Sequence, residues 1–201
     1  MPTRNLKIVI INGTVRSGNY TSMASALAAD ELRKQRKIDV HVINPGDYGL
    51  VFPGQPVGEG IDRLRREVRE ADAVVLATPE YNGGLSSVTK AVIENLEHPS
   101  ALAGKPVALL GVAAGAIGAI KSLEMLRSIV SHVGAIVLPQ PVSVSSVQSK
   151  FTASGEVLDP ATEQAIRGLA ASVVRYLEDA VCPKHKLAQL KSEATTPASV
   201  N

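Results

Sequence analysis

Two polar segments have the residue types that bind a flat and phosphorylated molecule. The first, residues 13–21, reads Gly-Thr-Val-Arg-Ser-Gly-Asn-Tyr-Thr and follows the apolar run at 6–11. The second, residues 78–84, reads Thr-Pro-Glu-Tyr-Asn-Gly-Gly and follows the apolar run at 73–77. Because each apolar run predicts a buried strand, both segments are expected to be loops at strand ends. Together they indicate one flat, phosphorylated and redox-active cofactor.

Residues 13–21 combine a flexible backbone with several groups that could bind an anion. Gly13 and Gly18 free the chain to curl, and Arg16 supplies a forked positive charge suited to phosphate. The candidate side-chain donors are those of Thr14, Ser17, Asn19 and Thr21. An ordinary polar turn that caps a helix would contain the same residue types, so this segment alone leaves both interpretations open.

The spacing of the first segment disfavours two common nucleotide-binding loops. Neither G-x-G-x-x-G nor G-x-x-x-x-G-K-[ST] follows the first predicted strand. A dinucleotide-binding enzyme of the Rossmann type and a nucleotidase with a phosphate-binding loop are therefore disfavoured. A loop rich in side-chain donors fits a monophosphate, such as that of FMN, and the N-terminus of a following helix would add to the attraction.

The segment at 79–84 suits the ring of a flavin. Pro79 would stiffen the loop, Tyr81 could pack beside the ring, and backbone N–H groups at 82–84 could bond to the ring carbonyls and N5. Glu80 could act as an acid or base, although orienting the loop or pairing with a neighbouring subunit is the favoured role. The alternative is a strand-to-helix connection that Pro79 makes rigid.

A third segment, residues 113–118, consists of small and apolar residues, Ala-Ala-Gly-Ala-Ile-Gly, after another apolar run. Such residues would leave room for the apolar edge of a ring. Tight packing of a helix on a strand would also need Ala and Gly, so both interpretations stay open.

The other reactive residue types predict neither a hydrolytic site nor a metal site. Cys182 is the single cysteine, and the four histidines have no ligand spacing among them. A G-x-S-x-G nucleophile motif does not occur. We therefore expect no catalytic protein residue and no metal ligand, because a bound flavin carries hydride chemistry itself.

Strand and helix patterns alternate along the chain, which predicts a doubly wound α/β fold. The predicted strands are 6–11, 38–43, 73–78, 106–112 and 135–138. The predicted helices run from 19 or 21 to about 35, then over 61–70, 88–96, 118–133 and about 160–180. Asn19 or Thr21 could cap the first helix, Ser86 or Ser87 could cap the third, and Asp159-Pro160 begins the last. Residues 141–147 are expected to be extended. Five strands favour a flavodoxin-like parallel sheet in the order 2-1-3-4-5, with helices on both faces. Ligands of such folds bind where the order reverses, between strands one and three.

Length and charge limit the remaining possibilities. The 201 residues predict one domain over 1–182 and a polar, mobile tail over 183–201. A net charge of +2, with basic and acidic residues interleaved, does not predict nucleic-acid binding. Neither a signal peptide nor a membrane-spanning run is recognisable, so the expected location is cytoplasmic, without a membrane partner.

The sequence resembles the NAD(P)H-dependent FMN reductase family, flavodoxin-like flavoproteins that include quinone, azo-dye and chromate reductases. The most specific element is Pro-Glu-Tyr-Asn-Gly at 79–83, and the segment at 13–21 matches as well. The match around this element extends over 78–84. The other matching segments are 90–96, 102–107, 115–119 and 126–135. They follow the family's order and cover most of residues 6–180.

This resemblance implies a site for bound FMN. The implied phosphate-loop residues are Thr14, Arg16, Asn19, Tyr20 and Thr21. The implied ring contacts are Pro79, Glu80, Tyr81, Asn82 and Gly83. The implied residues bordering the ring are Ala113, Ala114 and Gly115.

The resemblance also implies an activity and an assembly. NADPH or NADH would deliver hydride through flavin N5 to a quinone, free flavin, azo dye or metal oxyanion in a ping-pong cycle. The chain would form a homodimer or homotetramer with the flavin near the subunit interface. A flavodoxin-like electron carrier and a flavin-binding redox sensor are the alternatives, neither of which would turn over NAD(P)H.

Three positions depart from the family's usual pattern. Glu94-Asn95-Leu96 stands where Asp-Trp-Leu is usual, Ser86-Ser87 replaces Pro-Gly, and Ala113-Ala114 lacks a frequent small hydroxyl residue. We expect these changes to alter, respectively, a core or interface contact, the stiffness of the second loop and one hydrogen bond to the flavin.

Overall fold

The structure, a computed structural model, describes residues 4–183. Its strands are β1 (Leu6–Asn12), β2 (Ile38–Ile43), β3 (Ala73–Tyr81), β4 (Gly84–Leu85), β5 (Pro106–Val112), β6 (Ile136–Val137) and β7 (Val142–Val144). Its α-helices are α1 (Tyr20–Arg33), α2 (Glu59–Glu70), α3 (Ser87–Glu94), α4 (Ile120–His132) and α5 (Pro160–Tyr176). A π-helical turn, Leu177–Val181, extends the last helix.

The central sheet has the predicted flavodoxin-like arrangement. Its order is β2-β1-β3-β5-β6, which is 2-1-3-4-5 when the short β4 is not counted. The fifth position is divided, because β6 pairs with the start of β5 and β7 pairs with its end. Pro139 and Pro141 lie between these two pieces, and proline cannot donate to a strand ladder. The sheet therefore consists of seven strand segments, where the sequence predicted five strands.

The third strand is longer than predicted. Pro79 still pairs in parallel with Val112, and Tyr81 then pairs in antiparallel register with Gly84. Asn82 and Gly83 have φ values of 52° and 74°, which a two-residue type I′ hairpin turn requires. The prediction that the strand ends at residue 78 and leads into an open loop is therefore wrong. The segment is a tight hairpin.

Helices cover both faces of the sheet, as predicted. Ile8 and Ile10 of β1 face α1 and α5, whereas Val9 and Ile11 face the other side, with α2, α3 and α4. This alternation follows from the two-residue period of a strand, and it buries β1 on both faces. Packing on both faces fixes where the carboxyl ends of β1, β3 and β5 lie.

Local capping signals set the starts of three helices. Asn19 accepts from the Ser22 N–H at 2.7 Å, and Ser86 accepts from the Thr89 N–H at 3.0 Å. Asp159 accepts from the Thr162 N–H at 2.9 Å and precedes Pro160. Each side chain satisfies an N–H group that the first helical turn leaves unpaired. These starts agree with the sequence prediction to within two residues.

Within residues 4–183, no helix is both long enough and apolar enough to cross a lipid bilayer. The tail predicted over 183–201 lies, apart from Pro183, outside the described residues.

An ion pair joins the start of the chain to the loop before β3. The Asp72 carboxylate receives two hydrogen bonds from Arg4, both at 2.7 Å, and one from the Lys7 N–H at 2.8 Å. Burial alone would raise the pKa of this carboxyl group. The hydrogen bonds from Arg4 and Lys7 outweigh burial, so the pKa of Asp72 lies below its ordinary value.

The lowered pKa makes the contribution of Asp72 to stability dependent on pH. At pH 7 we expect Asp72→Asn to reduce the free energy of unfolding by about 1–2 kcal/mol. An unfolded Asp titrates near pH ~3.9, so the wild-type advantage is complete above about pH 5 and is lost as pH falls through the folded pKa. Urea unfolding between pH 7 and pH 3 measures this, with exposed Asp47→Asn as control. A gap that stays constant down to pH 3 would contradict the assignment.

Candidate functional site

Three predicted site segments meet at the carboxyl edge of the sheet. The Gly13 N–H donates to the Ala77 carbonyl at 2.6 Å, so the end of β1 lies against β3. Val112, the last residue of β5, pairs with Pro79. The segments at 13–21, 79–84 and 113–118 are therefore neighbours, at the place where the strand order reverses.

A buried hydroxyl network holds the first two segments together. Ser86 Oγ hydrogen-bonds to the Gly13 carbonyl, and it lies 2.9 Å from Thr89 Oγ1. Thr89 Oγ1 in turn donates to Thr78 Oγ1 at 3.0 Å. All three side chains are buried. The sequence predicted Ser86 only as a possible helix cap, and no role was predicted for Thr89. The two residues are spaced by one helical turn, and this spacing could have indicated that their hydroxyl groups meet.

The close approach of Thr89 and of the β3 backbone leaves no room for a side chain at Gly13. A Cβ atom there would lie 2.1 Å from Thr89 Oγ1 and 2.6 Å from the Ala77 carbonyl oxygen. Gly18 has a different reason, because its φ of 62° favours glycine while no atom lies within 4 Å of a Cβ there. One glycine thus allows close approach, and the other allows the chain to turn.

Asn19 shapes the first loop from within. Its side-chain amide donates to the Arg16 carbonyl at 2.5 Å and to Ser22 Oγ at 2.9 Å, and its oxygen caps α1. The predicted free donor at Asn19 is therefore engaged inside the protein. Thr14 acts similarly, since its hydroxyl accepts from the Arg16 N–H at 3.2 Å.

Other groups of this loop remain open to a ligand. Within residues 4–183, the N–H groups of Val15, Ser17 and Gly18 donate to no protein acceptor. The N–H groups of Tyr20 and Thr21 begin α1 and have no partner within the helix. Arg16 is exposed, and no carboxylate of the described residues lies within 4 Å of its guanidinium.

These open donors fit a phosphate monoester. Backbone N–H groups at a helix start and a nearby guanidinium are the usual partners of a phosphate. The side chains of the two predicted residues that begin α1 point elsewhere: the Tyr20 ring packs against the core and Thr21 is buried. Their backbone N–H groups, rather than their side chains, are available to an anion.

The hairpin is fixed against α4. Glu80 Oε2 accepts from the Ser122 N–H at 3.1 Å in the first turn of α4. Ala119, at the helix start, has no side chain that could cap it, so Glu80 supplies both the acceptor and the negative charge that a helix N-terminus favours. Glu80 thus orients the hairpin against α4, which is one of the two roles favoured for it from the sequence. Tyr81 is 39% exposed at the outer end of the hairpin.

The third segment is supported by residues that the sequence described only as extended. The Val147 N–H donates to the Ala113 carbonyl and the Ser146 N–H donates to the Gly115 carbonyl, both at 3.1 Å. At Gly118, with φ of 82°, a Cβ would lie 2.5 Å from Ser143 Oγ. Residues 114–117 are left exposed between these anchors. The small side chains of residues 114–116 fit the expected room for a ring edge.

Asn95, one of the departures from the family pattern, has a buried structural role. Its side chain donates to the carbonyls of Val51 and Ala91, both at 2.8 Å. Arg65 Nε also donates to the Asn95 carbonyl, at 2.9 Å. Asn95 therefore ties the loop after β2 to the end of α3 by hydrogen bonds.

The sequence pattern of NADPH-dependent FMN reductases matches residues 6–149, which include all three segments. The chain belongs to this family. An NAD(P)H-dependent FMN reductase of Pseudomonas aeruginosa is 32% identical over 172 residues, spanning 81% of this chain and 90% of the relative. An NADPH azoreductase of a Bacillus species is 29% identical, spanning 86% of this chain and 96% of the relative.

The fold agrees with that of a solved flavoenzyme. FerB, an NAD(P)H:(acceptor) oxidoreductase of Paracoccus denitrificans, superposes with a TM-score of 0.73 at 23% identity, covering 86% of this chain and 97% of FerB. This superposition confirms the flavodoxin-like fold class. The family match and the curated relatives confirm the family, FMN as cofactor and NAD(P)H as co-substrate. The protein is an FMN-dependent oxidoreductase.

The contact between Gly13 and Thr89 can be tested without the cofactor. Gly13→Ala should lower the stability by about 3 kcal/mol, because the added methyl group overlaps Thr89 and the β3 backbone. For a chain of this size, the melting temperature should fall by about 6–12 °C. Gly46→Ala is the matched control, since its nearest neighbour would lie at an ordinary 3.5 Å. Equal melting temperatures for the two variants would contradict the proposed packing.

Proposed function

We propose that this protein reduces quinones or similar small oxidants, such as free flavin, azo dyes or metal oxyanions. The observation that carries the proposal is the set of open backbone donors at residues 15, 17 and 18, in the loop that adjoins the hairpin at the strand reversal. For a quinone, NAD(P)H and one proton are consumed, and NAD(P)⁺ and the hydroquinone are released. Two electrons and two protons reach the quinone in each cycle.

In this proposal the phosphate of FMN lies on the first loop. Arg16 supplies charge, while Thr14 and Asn19 hold the loop in shape. The backbone N–H groups that would supply hydrogen bonds are those of Val15, Ser17, Gly18, Tyr20 and Thr21. Tyr20 and Thr21, which the resemblance places in the phosphate loop, would thus act through their backbone N–H groups, and the candidate side-chain donor of Thr21 would take no part. This division is supported by the internal bonds of Asn19 and by the exposure of Arg16.

The ring of FMN would lie between the other two segments. Pro79, Glu80, Tyr81, Asn82 and Gly83 would line one side. Ala113, Ala114 and Gly115 would border the other. Bound FMN supplies the hydride-accepting and hydride-donating chemistry. The protein would hold the ring still and leave one face accessible, so no catalytic side chain is required.

Donor and acceptor would use that accessible face in turn, in a ping-pong cycle. The hairpin tip supports this, because Tyr81 and Asn82 are both exposed. An electron carrier or a redox sensor would bind FMN without NAD(P)H turnover, and no observation on this chain favours either.

We also propose that the chain works as a homodimer or homotetramer in the cytoplasm. Met125 is an exposed apolar side chain close to Gly84 of the hairpin, and a second subunit would cover such a surface near the flavin. The cytoplasmic location is inferred from the use of NAD(P)H as reductant.

The phosphate assignment is tested by comparing two flavins. Apo-protein and its Arg16→Ala variant are reconstituted with FMN or riboflavin, and NADPH:quinone turnover and flavin fluorescence are followed. Arg16→Ala should raise the FMN concentration for half-maximal binding about tenfold or more, since a charge-assisted contact to phosphate is lost. With riboflavin, which has no phosphate, the two proteins should bind equally.

Arg36→Ala, at an exposed arginine beyond the end of α1, is the control and should behave as wild type with both flavins. Unchanged FMN affinity in Arg16→Ala would overturn the phosphate assignment. FMN binding without NADPH turnover in the wild type would instead overturn the proposed enzymatic activity.

A further inference from the structure

We propose that Lys121 makes the acceptor site selective for planar aromatic anions over neutral acceptors of the same shape. This inference rests on the proposed function, because it concerns the acceptor that follows NAD(P)H at the site. The substrate class consists of quinones or azo compounds that carry a sulfonate, a carboxylate or another ionised group.

The position of Lys121 is set by the hairpin. Lys121 is the second residue of α4, and its side chain runs along Gly83, at the hairpin tip. A Cβ on Gly83 would lie 3.6 Å from Lys121 Cδ and 3.8 Å from Nζ. The end of the lysine side chain is thus in ordinary van der Waals range of the Gly83 position, and the ammonium group lies against the turn that borders the proposed ring site.

The charge of Lys121 is not neutralised by its neighbours. In the described part of the chain, no carboxylate lies within 4 Å of its ammonium group. Glu80, the acid of the hairpin, is directed to the Ser122 N–H instead. By contrast Lys90, on the neighbouring helix α3, is paired with Glu94. Within the described residues, Lys121 therefore makes no ion pair at the hairpin tip.

The hairpin and the residues just before Lys121 in the chain carry exposed apolar side chains. Tyr81 is 39% exposed, Ile117 is 82% exposed and Ile120 is 47% exposed. An aromatic face and two aliphatic side chains favour a flat organic molecule, and one lysine adds attraction for a negative substituent on it. Because lysine acts as a point charge on a flexible stem, it accepts sulfonate, carboxylate or phenolate without a fixed geometry.

Lys121 would act on binding and take no part in the transfer of electrons or protons. The stoichiometry of the reaction is therefore the same for neutral and anionic acceptors. The 2′-phosphate of NADPH is a second possible source of negative charge at the same ammonium group, so the experiment has to separate donor from acceptor.

The test compares the FMN-loaded wild type with Lys121→Gln, using 1,4-naphthoquinone and its 2-sulfonate as acceptors. We expect kcat/KM for the sulfonate to fall about three- to tenfold in Lys121→Gln, and kcat/KM for the neutral quinone to change less than about twofold. Added salt should reduce the wild-type preference for the sulfonate, because it screens exposed charges. Lys90→Gln, at the paired lysine, should leave the preference unchanged.

A binding measurement provides a readout without turnover. Fluorescence anisotropy of naphthalene-2-sulfonate, which cannot accept hydride, should give a dissociation constant that rises by the same factor in Lys121→Gln. Far-ultraviolet circular dichroism and melting temperature should match the wild type, because Lys121 is exposed.

Each other outcome overturns the inference in a recognisable way. An unchanged ratio of kcat/KM for the two acceptors would show that Lys121 does not select the acceptor. A rise in KM for NADPH but not NADH, with that ratio unchanged, would assign the lysine to the donor phosphate. Absence of any turnover by the wild type with the neutral quinone would remove the proposed function itself.

Discussion

The architecture of the site depends on the buried hydrogen bond from Ser86 Oγ to the Gly13 carbonyl. This bond joins residues that are 73 positions apart, the loop after β1 and the start of α3. It is buried, and it continues through Thr89 to Thr78, so each hydroxyl oxygen in the network has a partner. Only glycine at position 13 permits the approach. Because the network fixes the first loop against β3, the segments at 13–21 and 79–84 keep one relative position.

Around this fixed point the chain uses its polar groups in two different ways. Asn19, Glu80 and Ser143 are committed to internal hydrogen bonds that hold the three segments in shape. Backbone N–H groups of residues 15, 17 and 18 have no internal acceptor within the described residues. Backbone donors that are held in place and left unpaired suit an anion better than mobile side chains do, because less conformational freedom is lost on binding.

Much of the fold could be predicted because its signals are local. The apolar runs at 6–11 and 106–112 predicted β1 and β5. Asn19, Ser86 and Asp159 predicted the starts of three helices, because a capping side chain bonds within the first turn of its own helix. The three site segments could be located because a doubly wound sheet brings strand ends together. Their candidate role as an FMN site also drew on a family resemblance, which the comparison with known proteins confirmed.

The parts that could not be predicted depend on contacts between distant residues. The extension of β3 through Pro79 requires pairing with β5 and with the return strand after the Asn82-Gly83 turn; a proline normally signals the end of a strand. The side-chain amide of Asn19, a candidate donor to the ligand, instead donates to the Arg16 carbonyl and to Ser22 Oγ. The position of Lys121 beside Gly83 depends on the packing of the hairpin against α4, which no local sequence pattern encodes.

The most direct test of the account is to add NADPH without oxygen to the purified, FMN-loaded protein and to follow the visible flavin absorbance. The account predicts that the flavin bands bleach on addition and return when a quinone is supplied. Flavin bands that persist after NADPH is added would contradict an NAD(P)H-dependent site at the carboxyl edge of this sheet.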